Sequence, residues 1–200
     1  KYTEGRYPDK WLELMWTHTN IVLAIALQLA ETLEKKTGIK TDKELLAQGI
    51  LLHDIGVYKC FDEDFNPNKE LRSYIHHSFI GAEIIKSEGF PLAVWRFALT
   101  HSATGFTKED IEREQLPYEK MDYIPVSVEE ELLCYADKFH TKYPAFATFE
   151  EQVEGLKKFD PAREVKMQTF KRKFGLPDLA KTVEQYDQLN KEFDRWLGAI

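Results

Sequence analysis

The sequence has few cysteines, no long apolar run and no excess of positive charge, and each shortage removes a class of protein. Only Cys60 and Cys134 occur in 200 residues. They match no zinc-binding spacing and are too few for the disulfide framework of a small secreted scaffold. Buried free thiols in a reducing cytoplasm are therefore expected. No apolar run approaches the roughly 20 residues that a membrane-spanning helix needs, and no basic-then-apolar leader follows Lys1. With 27 Lys and Arg against 34 Asp and Glu, the formal net charge is -7. That balance disfavours bulk attraction to nucleic acid or to an anionic membrane, so an anionic substrate must be met by a local cluster of cations. Internal repeats, low-complexity tracts and convincing alternating strand patterns are also missing.

What remains is helical. A 43% hydrophobic content at this length suits one domain that can bury a core around a site. Trp11, Met15, Val22, Ile25 and Leu29 recur at helical spacing, and Gly38 closes the pattern. Thr41 and Glu44 carry a capping-box signature ahead of an apolar helix that reaches His53 and Asp54, and Gly56 breaks it. Turn chemistry fills Cys60 to Ser73. Helices are predicted from His77 to about Glu88 and from Leu92 to His101. Residues 102–126 read as a flap or long connection holding one helix launched by Thr107 and Asp110. Ser127 and Glu130 cap a helix through Asp137 to about His140, and Pro144 prevents its extension. Further helices near Thr148, Pro161 and Pro177 are expected to cover the core or to form the surface of a homodimer. The expected fold class is all-α: one compact helical bundle over residues 1–200, with its core at about 11–142 and C-terminal helices at 148–198.

His18, His53, Asp54, His77, His101 and Asp137 lie on separate helical segments and mostly share an apolar stripe. A buried carboxylate without a partner costs several kcal/mol or neutralises, and a buried imidazole is penalised too. Taken singly, each residue has an ordinary reading: a satisfied core histidine, a helix-start residue, a solvated acid. Taken jointly, they point to a divalent metal. Spacings of tens of residues fit a site assembled from several helices of a bundle. Nitrogen and oxygen donors without thiolate favour iron, manganese, zinc, cobalt or magnesium. Because a carboxylate can bridge, the set divides into His18, His53, Asp54 and Asp137 at one ion and Asp54, His77 and His101 at a second. His76 and His140 are expected to support this set or to lie at the surface. Lys59 and Lys138 flank proposed ligands and are candidate phosphate contacts, with Lys142 and Arg96 less well placed; for each, a solvated surface is the ordinary alternative.

The segments HTNIVLAIALQLAE, LLHDIG and YADK resemble the HD superfamily of metal-dependent phosphohydrolases, over about residues 16–142. HHSFIGAEII and ALTHSATGFT are similar to the additional histidine motifs of its HDIG-type branch. LPYEKMDYIPVSVEEELLCYADKFHTK resembles a largely uncharacterised prokaryotic group of HDIG proteins. The resemblance implies a helical core, one or two metal ions and hydrolysis of phosphomonoesters or phosphodiesters, often of nucleotides. By motif, the ligands are His18, His53, Asp54 and Asp137, joined by His77 and His101. Asp54 would orient the nucleophile while water or a lysine, Lys59 or Lys138, assists the leaving group. One departure is Val57, where many relatives carry a basic residue directly after HDIG. A metal-retaining regulatory module without catalysis and a di-iron oxygenase are the alternative functions.

Overall fold

The computed structural model describes residues 9–61, 68, 74–141 and 145–197, with side chains described from residue 13 to 188 within those ranges. Trp11, Phe193 and Leu197, as side chains, and Lys142, Pro144 and most of the turn-rich 62–73 segment lie outside the described residues. The spine is α1 (Asp9–Thr37), 29 residues long. Its buried residues include His18, Ile21, Val22, Ile25, Leu29 and Leu33, steps of three and four that turn one stripe inward. It stops where Gly38 takes φ +76° and returns its amide to the Glu34 carbonyl.

Along the chain follow α2 (Lys43–Leu52), α3 (His76–Ser87), α4 (Leu92–Thr100), α5 (Lys108–Arg113), α6 (Val128–Ala136), α7 (Phe149–Lys157), α8 (Ala162–Phe174) and α9 (Leu179–Leu197). Single 3-10 turns occupy Val57–Cys60 and Asp137–Phe139. Among the described residues the named strands are β1 (His140–Thr141) and β2 (Ala145–Phe146), an antiparallel pair with His140 opposite Phe146. The fold is all-α, as the missing alternation predicts.

Helix α1 packs on α2, α6, α8 and α9, while α2 also meets α4 and α6, and α3 lies against α4. Ile25, Leu29, Leu46, Ile50, Phe97, Leu133 and Phe170 share the resulting core. Each such side chain stabilises the fold by about 1.5–3 kcal/mol through burial. The C-terminal helices join this core through Phe149 and Val153 of α7 and Met167, Phe170 and Phe174 of α8.

Local details differ from the predicted ones in instructive ways. The cap of α2 is Asp42, whose carboxylate accepts from the Glu44 and Leu45 amides, rather than Thr41. A carboxylate there also complements the positive end of the helix. Residues 102–126 are more than a connection: the capping box at Thr107 and Asp110 forms, Phe106 bridges Tyr123, and Phe79, Phe106, Ile111 and Tyr123 make a second small core. Helix α6 ends at Ala136 and the chain runs to His140 as a tighter turn. Gly56 is not a conformational break, since its φ is -76°. Its role is room: a Cβ there would sit 2.1 Å from the His77 carbonyl oxygen and 2.5 Å from the Gly81 nitrogen. The missing side chain lets the LLHDIG turn lie directly on α3.

Candidate metal centre

Three helices end at the same place. His53, His101 and Asp137 are the C-terminal caps of α2, α4 and α6, Asp54 follows His53, His77 lies in the first turn of α3, and His18 projects from α1. Helix C-termini carry partial negative charge, so their convergence favours a cation. His18, His53, Asp54 and Asp137 bring donor atoms within 4.8 Å of one another, and Asp54, His77 and His101 do the same.

Asp54 stands between these groups, its side chain fully buried. Its Oδ2 is 3.3 Å from His18 Nε2 and 3.2 Å from His53 Nε2. Its Oδ1 is 3.4 Å from both His77 Nε2 and His101 Nε2. Asp137 Oδ1 completes the first group, 3.2 Å from His18 Nε2 and 3.6 Å from His53 Nε2. One carboxylate therefore offers one oxygen to each group.

The imidazoles are aimed by the helix ends that carry them. His53 Nδ1 donates to the Ile50 carbonyl at 2.6 Å, His101 Nδ1 to the Ala98 carbonyl at 2.8 Å, and His77 Nδ1 to the Tyr74 carbonyl. Each partner is three residues back, and for His53 and His101 it is a carbonyl of the last helical turn. A carbonyl only accepts, so Nδ1 holds a hydrogen and Nε2 faces the centre. His18 is oriented differently, through His140, whose Nδ1 lies 2.9 Å from His18 Nδ1. For His18 to present Nε2 as a donor to a cation, its Nδ1 must donate to His140.

The electrostatics separate the two groups. Burial depresses the His53 imidazolium, but the charges and hydrogen bonds of Asp54 and Asp137 outweigh it and push the pKa up to about 9. Burial prevails at His101 and holds it below its ordinary value despite the hydrogen bond to Asp54. His18 Nε2 and His53 Nε2 are buried and meet the Asp54 and Asp137 carboxylates at 3.2–3.6 Å. Buried polar atoms of native proteins are normally satisfied. Neighbouring donors 3.0–3.6 Å apart match the spacing of adjacent ligands on one ion with bonds of about 2.1 Å. The residues present fit a divalent cation.

The other candidates fall in different places. Lys138 is buried, with Nζ 2.7 Å from Asp137 Oδ2 and 3.4 Å from the His101 carbonyl. Lys59 is exposed and lies over the Tyr58 ring. Arg96 is committed to Glu130 at 2.7 Å and to the Ile124 carbonyl. His76 meets the Tyr118 hydroxyl, and burial lowers its pKa. The sequence reading passed over Ser102, whose Oγ is 3.4 Å from His77 Nε2, and Ser78 bonded to it. Their only signal is adjacency to His77 and His101. Beside the centre opens a cavity of about 460 Å³, bounded by His77, His101, Asp137 and Lys138 on one side and by Tyr74, Phe106, Leu156 and Arg163 elsewhere. Ala103, on its wall, holds φ +55°, a conformation that costs a non-glycine residue on the order of 1 kcal/mol and gathers at functional sites.

The HD domain family profile matches residues 15–142. The chain belongs to that family. Among curated proteins it is 34% identical over 127 residues to the uncharacterized protein MJ0778 of Methanocaldococcus jannaschii, covering 62% of this chain and 66% of that one. It is 30% identical over 125 residues to the tRNA (cytidine(56)-2'-O)-methyltransferase of Picrophilus torridus, covering 62% of this chain and 31% of the relative. The match thus spans about a third of one relative's length and about two thirds of the other's. Two solved structures of the HD domain of the L. monocytogenes phosphodiesterase PgpH, one in complex with cyclic-di-AMP, align over 93% and 94% of this chain and 92% of theirs. Identity is 17% and 18%, with a TM-score of 0.46 for each.

Proposed function

We propose that this protein is a metal-dependent phosphohydrolase acting on a phosphomonoester or phosphodiester of nucleotide type. The observation that carries the reading is the division of Asp54, with Oδ2 toward His18 and His53 and Oδ1 toward His77 and His101. Those four histidines, Asp54 and Asp137 would hold one or two divalent ions. Bound there, such an ion acidifies water and offsets phosphate charge.

The chain's own residues supply the rest. Asp54 would orient the attacking water. Lys138, buried in the cavity wall beside Asp137, has an ammonium placed to meet a phosphate oxygen or to assist the leaving group. Lys59 does not line the cavity, so the phosphate-contacting role passes to Lys138. Helices α7 to α9 add a cover beyond the family core, and the buried free thiols suit a reducing cytoplasm.

The test is a nucleotide panel offered to protein loaded with manganese, iron, zinc or magnesium. Release of phosphate or mononucleotide is expected, and a combined His53→Ala and Asp54→Ala change should abolish it. Undiminished turnover by that variant after metal stripping would eliminate the mechanism. Tight nucleotide binding without turnover in any of the metals would assign a regulatory module instead.

A further inference from the structure

Ser78 and Ser102 bring two hydroxyl hydrogens to the edge of the His77 and His101 group, and one bond between them uses only one. Ser78, in the first turn of α3, is fully buried, and its Oγ meets Ser102 Oγ as its hydrogen-bond partner among the described residues. Were Ser102 the donor of that bond, the Ser78 hydrogen would stay buried without an acceptor, which costs free energy. Ser78 therefore donates, and the Ser102 hydrogen is left for another acceptor. Within the protein the candidate is His77 Nε2, 3.4 Å from Ser102 Oγ. That nitrogen faces the metal centre, because Nδ1 of the same ring donates to the Tyr74 carbonyl. A cation held by Nε2 takes up its lone pair, and the Ser102 hydrogen must then turn elsewhere.

The surroundings indicate where. Ser102 lines the cavity beside the centre, directly after the His101 cap of α4. A tight turn holds it there: its carbonyl accepts from the Gly105 amide at 2.9 Å, and Ala103 takes φ +55° between them. Lys138 lines the same cavity, its ammonium 3.4 Å from the carbonyl of neighbouring His101. A hydroxyl donor and a cation thus flank one corner of the site, and such a pair suits an oxyanion. We propose that Ser102 is a substrate-binding residue whose hydroxyl, oriented by Ser78, donates to a phosphate oxygen of the ester. This rests on the phosphohydrolase reading and adds a phosphate contact beyond the metal ligands and Lys138. Ser78 is a positioning residue that acts through Ser102.

The experiment measures binding of inorganic phosphate by calorimetry to manganese-loaded wild type, Ser102→Ala and the double variant Ser78→Ala/Ser102→Ala, with manganese content and Tm recorded for each. The double variant leaves no orphaned hydroxyl behind. In both variants the Kd for phosphate should rise about tenfold or more, the worth of one hydrogen bond to a charged group, while manganese content stays at the wild-type level. The kcat/KM for phenyl phosphate should fall by at least as much. Wild-type phosphate affinity in either variant would overturn the proposal. Manganese loss in step with the weaker binding would overturn it too, since the hydroxyl would then merely support His77. Wild type that hydrolyses no phosphate ester would overturn the underlying reading, whereas the phosphate affinities judge Ser102 by themselves. Should the variants not fold, crystals of wild type holding manganese and phosphate decide. A phosphate oxygen about 3 Å from Ser102 Oγ is expected, and a phosphate at the centre beyond hydrogen-bond reach of that atom refutes the role.

Discussion

His77 and His101 present their Nε2 atoms to each other at 3.0 Å, while both Nδ1 atoms face main-chain carbonyls. With each Nδ1 hydrogen committed, two neutral rings in these positions would meet lone pair to lone pair. That arrangement repels unless a proton or a cation lies between them. The fold holds it in place because His77 lies in the first turn of α3, His101 caps the end of α4, and the two helices pack side by side.

Asp54 serves both groups, so its loss should empty both. Asp54→Asn keeps the shape and removes the charge; bound metal should fall to background, a loss exceeding the ~10–100-fold typical of an outer partner. His101→Ala should remove only the ion beside His77. Elemental analysis of the purified variants checks this, and equal metal loss from both would refute the bridging role.

Metal affinity should depend on pH through His53. Its pKa in the metal-free protein is about 9, so an incoming ion must displace a proton at neutral pH. Apparent affinity should rise up to about tenfold per pH unit between about pH 6 and pH 8, then level off above pH 9. Without metal the sign reverses. The raised pKa contributes stability that is complete below the unfolded value of 6.5 and is lost as pH rises through about 9. Calorimetry in buffers of different ionisation enthalpy reads the released proton, and no release near pH 7 would contradict the assignment.

His140 is buried, and its Nδ1 stands 2.9 Å behind His18 Nδ1, where it can accept the hydrogen that leaves His18 Nε2 free for a cation. His140→Phe fills the space and removes the acceptor. Metal affinity should fall about 10–100-fold with little change in Tm, measured by competition with a chelator. Unchanged affinity would show that His18 needs no such partner.

Gly56→Ala should damage stability and site together. The added Cβ would strike the backbone of His77 and Gly81 rather than a flexible side-chain tip. Overpacking of this kind costs about 1–3 kcal/mol, and urea unfolding should show the upper end of that range with reduced metal content. Wild-type stability would mean that α3 can retreat at little cost.

The helical class and the polar residues on apolar stripes are legible in the sequence because both follow from local periodicity. His53 beside Asp54 at a helix end is legible for the same reason. Other features depend on which distant elements meet. His140 lies three residues after Asp137, yet only the packing of β1 against α1 places it behind His18. Gly56 reads as a breaker until α3 is seen against it. Arg163 is one basic residue among many in a polar helix, and its burial is decided by Phe106 and Asp110 some fifty residues earlier. The hydrogen bonds that aim the rings of His53, His77 and His101 use backbone carbonyls, which every residue possesses and no pattern marks.

The central claim is that six side chains from distant helices surround a shared inorganic centre divided by Asp54. Anomalous diffraction from crystals of the manganese-loaded protein tests it most directly. The account predicts two peaks about 3.5–4 Å apart, one bounded by His18, His53 and Asp137, the other by His77 and His101, with an Asp54 oxygen toward each. Full-occupancy manganese elsewhere, with these side chains unmoved and no density between them, would contradict it.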